Sequence, residues 1–511
     1  MAEKGLSKSK YTKFRQCPKA LWLRVYSPEK AVEDAQAESR FAAGNAVGDL
    51  AMELFGNYTE VTTHKPDSSL DLKAMLEKTQ QCLSNGTNII CEASFTHNGC
   101  YCAVDILKKT DNGYAIYEVK SSSASEEEEK AKKDKLQVYA QDIAYQKWAL
   151  TQCGVNVTGT YLVRLNSDYV RGDELDISQL FIITDMADDV TKEYPLIEHF
   201  INNARQTLQS PTEPEAPLTE YCHKPYHCEF WDYCAQLHQL PTPSVFDLYR
   251  KPFSGKLKLY NKGKVKFDDI TDEKLSDFQQ MQVECTISGT THIDREEIAK
   301  FLKKLSYPLY FLDFETMQVV IPQYKGTRPY QQITFQYSLH YIEKEGGELK
   351  HKEFLGESGT DPRRALAEQL CRDIPKNVCV TAYNKSFECT RIKELADAFP
   401  NLREHLLNIR SHIVDLWDPF KDGHYYTPAM GGSTSIKHVL PALWPDEPSL
   451  DYHNLDSRCQ NGGHAMTIFP LIKDMEPAEQ QATRQALLDY CCLDTYAMVK
   501  VWEKLKEVLN S

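Results

Sequence analysis

The chain has 511 residues, 41% of them hydrophobic and 26% charged, which is the balance of a soluble globular protein and more chain than one ordinary core needs, so two or three domains are expected. No uninterrupted apolar run approaches the roughly 18 residues of a membrane span, and the opening MAEKGLSKSKY lacks the apolar centre of a signal peptide, so a cytoplasmic protein without a membrane partner is expected. The net charge of −14 does not by itself announce a nucleic-acid partner, because phosphate contacts want Lys and Arg. With 16 cysteines in a reducing compartment, disulfides are disfavoured and cysteine spacing carries the information. Cys82, Cys153, Cys285, Cys371 and Cys379 stand singly among apolar residues and read as small core hydrophobes.

Residues 1–240 alternate helix-like and strand-like segments. The first chemistry-bearing element is YCAVDILKKTDNGYAIYEVK, Tyr101 to Lys120, where two β-rich runs flank Asn112-Gly113, a strong hairpin signal. With those two residues as the loop, Asp105 lies opposite Lys120 and Leu107 opposite Glu118. Strand side chains alternate, so Asp105, Glu118 and Lys120 share a face, at the roughly 4.5–8 Å separations of cross-strand and diagonal neighbours. Two carboxylates there suit a hard cation, Mg²⁺ or Mn²⁺, and the lysine suits a water or a phosphate. An exposed hairpin carrying an ion pair is the plainer alternative. The acidic run Glu126 to Glu129 reads as an exposed helix start.

Asp105 with Glu118-Val119-Lys120 is similar to the signature of the PD-(D/E)XK nucleases. Gln141 and Tyr145, in QDIAY, resemble the QxxxY motif of the RecB-type branch. That resemblance implies a restriction-endonuclease-like fold, a further acid at Glu92, and catalytic roles for Lys120, Gln141 and Tyr145. The branch places a histidine in G-x-x-x-H, and Gly44 to Gly48 has glycine at that position.

The Pro-rich SPTEPEAPLTE leads into YCHKPYHCEFWDYC, which spaces Cys222, Cys228 and Cys234 by five residues each, while Cys17 stands alone near the start. Three close cysteines and a distant one suit a four-thiolate site for an iron–sulfur cluster or zinc, and His223 and His227 keep the zinc alternative open. The arrangement resembles the iron–sulfur nucleases of CRISPR adaptation and the AddB type, which implies a structural four-iron four-sulfur cluster clasping the domain ends. The gap from Cys222 to Cys228 is longer than the two residues usual in that group.

Residues 241–300 read as a basic linker or accessory region. Arg250 to Lys266 carries no acid, and Lys256, Lys258 and Lys264 interleave with Phe253 and Tyr260, so the stretch suits a nucleic-acid strand or, equally, a solvated hairpin.

A second α/β pattern spans 301–511. PLYFLDFET reads as a buried strand with Asp313 and Glu315 on one face, a costly pairing without a cation. Glu388 falls in the first turn of a helix after NVCVTAYNKSF, and Tyr490 and Asp494 lie one turn apart on a long helix opened by Pro477. In this order the motifs resemble the DEDDy exonucleases of the RNase H-like fold. The resemblance implies a mixed-sheet domain, Asp313, Glu315, Glu388 and Asp494 as ligands of two metals, Tyr490 on the attacking water, and Lys437 in GGSTSIKHVLP as a phosphate contact. The Asp415 region is also similar, and Glu388 stands where the family usually has aspartate.

Together the resemblances imply a two-headed, metal-dependent nuclease acting on DNA in preference to RNA, at ends or on single strands, in repair, recombination or defence. Two alternatives stand beside it: one live DEDD site with the first module as a nucleic-acid clamp, and a non-catalytic iron–sulfur binding scaffold. Oligomeric state and protein partners are not legible.

Overall fold

The computed structural model describes residues 5–32, 37–125 and 136–510. The acidic run Glu126 to Glu129 lies outside the described residues. The protein is mixed α/β, and its contacts divide it into two compact units: Met1–Gln239 with Val319–Gln331, and Leu240–Gln318 with Gln332–Ser511. Among the described residues no helix is long and apolar enough to cross a membrane.

In the first unit a seven-stranded sheet runs β2 (Thr59–Glu60), β3 (Ile89–His97), β4 (Cys100–Thr110), β5 (Gly113–Ala124), β6 (Val157–Asn166) and β7 (Phe181–Asp185), with β1 (Leu6–Ser7) parallel to the start of β4. The meander β3–β4–β5 is antiparallel, and β5 and β6 pair in parallel, a pairing that needs a crossover. Helix α1 (Lys8–Gln16) follows β1 directly, and α2 (Pro18–Tyr26), α3 (Ala37–Met52) and α4 (Leu72–Ser84) precede the meander. The crossover carries α5 (Gln137–Gln152). Tyr11, Phe14, Ile90, Val104, Ile116, Tyr145 and Trp148 fill one core. Val47 and Ala51 of α3 fill another with Cys91, Ile106 and Val163, and Val320, Ile321 and Tyr330 of the inserted segment pack against it.

The hairpin register differs from the expected one. Thr110 pairs with Gly113 and Ile106 with Tyr117, so the loop is Asp111-Asn112 and Asp105 faces Glu118 rather than Lys120. The slip is two residues, which leaves every side chain on its face. Gly113 is there for space: a Cβ would stand 2.2 Å from the Asn156 carbonyl oxygen.

In the second unit the sheet order is β11 (Leu349–Leu355), β10 (Gln332–Ile342), β9 (Leu309–Gln318), β12 (Cys379–Ala382) and β13 (Ile413–Asp415). The first three strands are antiparallel neighbours, and β12 is parallel to both β9 and β13. Helix α6 (Ser386–Ala398) leaves β12, and α7 (Pro477–Asn510) closes the chain. A small antiparallel pair joins β8 (His292–Ile293) to β14 (Tyr425–Tyr426). Residues 241–300 form helices Phe253–Asn261, Asp277–Ser288 and Arg295–Leu302 within this unit, with a core of Val245, Leu248, Leu259, Phe267, Ile270 and Val283.

The basic stretch is therefore helix and turn rather than an open hairpin. The Lys256 ammonium donates to the Phe246 carbonyl at 2.6 Å, and Lys264 pairs with Asp272 and Glu273 at 2.5 and 3.1 Å. Of Lys256, Lys258 and Lys264 only Lys258 is exposed; the other two bond partners within this unit. Cys82, Cys285 and Cys379 are buried, but Cys153, which caps the end of α5, is exposed, and Cys371 is half-buried against a core of the second unit.

Gly113→Ala should lower the thermal midpoint, at a cost of about 2 kcal/mol or more, the scale of forced overpacking. A calorimetric scan showing an unchanged first-unit transition would refute the close approach.

Candidate functional sites

Two clusters of acids stand on the two sheets. In the first unit the sheet carries a row of three. Cys91 pairs with Ile106 and Ala93 with Val104, which brackets Glu92 opposite Asp105, and Asp105 in turn faces Glu118. Face alternation slips at this row: Ile90 and Ala93 enter one core and Cys91 the other. Glu92 has φ of +57°, a left-handed conformation that non-glycine residues hold only when the surroundings impose it. The Asp105 carboxylate accepts from the Val119 amide at 2.6 Å.

Cations stand among these acids. Glu118 is buried; its Oε1 receives the Lys8 and Lys120 ammonium groups, each at 2.7 Å, and its Oε2 the Gln146 amide at 2.5 Å. Lys120 also reaches Asp142 at 2.7 Å. Burial pushes Glu118 up, but Lys120 and Lys8 outweigh it and hold the carboxyl down at about 2. Burial and the Glu118 charge push Asp105 up to about 7, and burial raises Glu92 as well.

Lys8, Asp142 and Gln146 carried no sequence signal of their own. On α5 the site is met by Asp142 and Gln146, not by Gln141 and Tyr145. Tyr145 is fully buried and donates to the Leu6 carbonyl at 2.6 Å, where it ties β1 to the core. Gln141 is half-buried and makes no hydrogen bond to the acids among the described residues. One residue along a helix is a 100° turn, so a one-residue offset re-aims the pair. Gly48 sits on α3, and a Cβ there meets nothing within 4 Å.

Cys17, Cys222, Cys228 and Cys234 line one small enclosed cavity with Leu23, Leu218, Phe230 and Trp231. Burial pushes the thiols of Cys228 and Cys234 up to about 11. His223 and His227 bond each other through their Nδ1 atoms at 3.1 Å and meet edge-on. The sulfur donors therefore fit a thiophilic centre.

In the second unit, Asp313 and Glu315 on β9, Glu388 in the first turn of α6, and Tyr490 and Asp494 on α7 line one cavity of about 350 Å³, with Lys437, Tyr383 and Gly462. Glu315, Glu388 and Asp494 are buried. Each is delivered by a separate device. Pairing of Asp313 with Ser338 and Glu315 with Gln336 fixes the strand. The Gln336 amide donates to the Leu487 carbonyl at 2.7 Å, which seats α7 on the sheet. Asp415 accepts from the amides of Asn384, Lys385 and Trp417 at 2.8, 3.2 and 3.1 Å and so holds the turn that launches Glu388.

Burial and the neighbouring carboxylates push Asp313 and Glu315 well up. Burial drives Glu388 up to about 8, and its Oε2 is buried without a hydrogen-bond partner. Burial also raises Asp494, against the phenol of Tyr452, which donates to its Oδ1 at 2.6 Å. Lys437 is the cation of the lining; it reaches the Tyr490 oxygen at 3.4 Å and lies over the Tyr452 and Tyr490 rings. Tyr452 and Cys491, whose sulfur stands 3.9 Å from Asp313 Oδ2, were missed in the sequence because neither falls in a recurrent pattern. Four acids with one lysine and an orphaned oxygen form a donor set that fits hard divalent cations.

Residues 310–435 match the family described as a domain of unknown function, DUF2779. An uncharacterized protein, UU173, of Ureaplasma parvum serovar 3 is 25% identical over 313 residues, 55% of this chain and 43% of its own length. The chain thus spans less than half of that curated relative. No solved structure matches.

Glu388 supplies a pH test. Its folded value, about 8, lies above the ordinary 4.5, so its contribution to stability is complete below pH 4.5 and is lost as pH rises toward 8, at up to about 1.4 kcal/mol per pH unit. In chelator, Glu388→Gln should gain stability relative to wild type across that window, and Mn²⁺ should restore wild type. Parallel denaturation curves at pH 5 and 8 would contradict this.

Proposed function

We propose that this chain is a metal-dependent nuclease that hydrolyses phosphodiester bonds of DNA at ends or on single strands, with the carboxylate cavity of the second unit as its catalytic centre. The observation that carries the reading is the convergence of Asp313, Glu315, Glu388 and Asp494 from three elements into one cavity, with less positive charge than their ionised forms need. The mixed sheet beneath it is of the kind the DEDDy resemblance implies. Mg²⁺ or Mn²⁺ bound by these acids supplies charge for the scissile phosphate and lowers the pKa of a bound water.

The chain's own groups do the rest. Tyr452 fixes the rotamer of Asp494 through Oδ1. Lys437 holds the Tyr490 hydroxyl, which orients the attacking water, and the ammonium offsets charge on the phosphate. Burial around Glu315 and Glu388 excludes bulk water and strengthens each of these interactions. The resemblance implies 3′→5′ removal of nucleotides.

For the first unit the clamp reading is favoured by one observation: both oxygens of Glu118 are already taken by Lys8, Lys120 and Gln146. A metal there would have to compete with two ammonium groups and an amide for those oxygens. The four thiols near its ends hold a four-iron four-sulfur cluster in this reading, with zinc on the same sulfurs as the alternative. The two histidines of a mixed zinc site are bonded to each other.

The test is an end-labelled single-stranded DNA and RNA assay with Mg²⁺ or Mn²⁺ on anaerobically purified protein. Asp313→Ala should cut by on the order of a hundredfold to a thousandfold less, the loss typical of one electrostatic group at a transition state, while Asp105→Ala keeps the wild-type ladder. If wild type cuts neither substrate, the enzyme reading fails and the binding scaffold replaces it. Separately, Cys234→Ala should lose iron and the brown chromophore; equal iron in variant and wild type would remove the cluster.

A further inference from the structure

A second group of ligand atoms lies in the second unit, outside the acid cavity. His340 on β10 and His351 on β11 are direct cross-strand partners, with ring centroids 4.5 Å apart. Cys492 on α7 completes the group, and the three ligand atoms lie within 4.8 Å of one another.

The hydrogen bonds of the rings fix which nitrogens carry a proton. The Thr495 hydroxyl donates to the Cys492 carbonyl at 3.1 Å, so its oxygen can only accept from its other partners, His340 Nδ1 at 2.8 Å and Ser338 Oγ at 2.7 Å. The Ser338 hydroxyl therefore spends its proton on Thr495, and at 2.9 Å it accepts from His351 Nε2. Both imidazoles thus carry their proton on the nitrogen turned to a hydroxyl. A neutral imidazole has one proton, so His340 Nε2 and His351 Nδ1 are left as bare lone pairs. Burial holds both rings below the ordinary histidine range, His340 down at about 4, which keeps them neutral.

We propose that His340, His351 and Cys492 form a binding site for a thiophilic divalent cation of the zinc type, with its fourth position open to water or to Glu353. Two imidazole nitrogens and a thiolate are a zinc donor set, and three protein ligands with an open position make a tetrahedral site. The Thr495 and Ser338 hydroxyls are the outer hydrogen-bond partners that ligating histidines regularly have. Glu353 stands two residues from His351 on the same strand and faces Ser338 across the ladder. His351 is exposed, which gives the ion its entry. On binding, the Cys492 thiol gives its proton to solvent and the sulfur forms the metal bond. The site joins two sheet strands to α7, so its role is to pin that helix.

The full-length protein, stripped with chelator, would be titrated with Co²⁺ and with Zn²⁺. Metal content and the thiolate-to-cobalt charge-transfer band are read for wild type, His351→Ala, Cys492→Ser and Cys234→Ser, the last marking ions held by the four-cysteine clasp. His351→Ala and Cys492→Ser should each lose one equivalent that Cys234→Ser keeps, with part of the band lost in Cys492→Ser. Equal content and an unchanged band in His351→Ala, at an exposed position on β11, would overturn the site even if Cys492→Ser failed to fold.

Discussion

Carboxylates that share a cavity repel one another, and the repulsion grows as water is removed. In the second unit this constraint organises everything around the sheet. Asp313 and Glu315 are fixed by a strand paired on both sides, Glu388 by a turn that Asp415 holds through three backbone amides, and Asp494 by a phenol. Each acid is held by neutral donors or by backbone geometry, and Lys437 alone supplies positive charge in the lining. The unfavourable charge is sustained by the apolar packing of Phe311, Leu309, Leu493, Ala497 and Trp502 beneath it. The proposed divalent cation would offset that charge, and acids held in place this way would not have to rearrange to receive it.

The first unit meets a comparable problem with the opposite device. Its row of Glu92, Asp105 and Glu118 crosses three strands, but Lys8 and Lys120 reach Glu118 directly. Coulombic attraction at 2.7 Å in a buried setting pulls Glu118 down, and the remaining repulsion is displaced onto Asp105. The charge of Glu118 is thus offset from inside the protein by two lysines. The strained backbone at Glu92 shows that the row is nevertheless imposed by its surroundings, since a relaxed ladder would let that residue adopt ordinary strand geometry.

What the sequence made legible follows from range. Alternation on a strand and one-turn spacing on a helix are local, so the shared faces of Asp313 with Glu315 and of Tyr490 with Asp494 could be read directly. The hairpin's existence was legible and its register was not, because Gly113 is set by the Asn156 carbonyl, a contact across to β6. The helix partners Asp142 and Gln146 were displaced by one residue from the motif pair, an error no periodicity corrects. Lys8, Tyr452 and the His340–His351 pair depend on distant segments meeting, and no spacing encodes that. The basic run misled for a related reason: its lysines find acids such as Asp272 and Glu273 just beyond the window in which the run looks uncompensated.

Helix α7 ties these observations together. Tyr490 and Asp494 project into the acid cavity, while Cys492 and Thr495 project toward β10 and β11. A rotation of 100° per residue makes both possible within six residues, and it also means the helix cannot turn to improve one set of contacts without spoiling the other. Gln336, Ser338 and His340, spaced by two along β10, form a polar rail: Gln336 bonds the Leu487 carbonyl and the other two bond Thr495. The rail fixes the azimuth of the helix with directional bonds that apolar packing alone does not provide. Because Asp494 rides on that helix, the position of one acid in the cavity is set by hydroxyl and imidazole groups on the neighbouring face, and anything that tightens that face narrows the range of metal geometries the acids can offer.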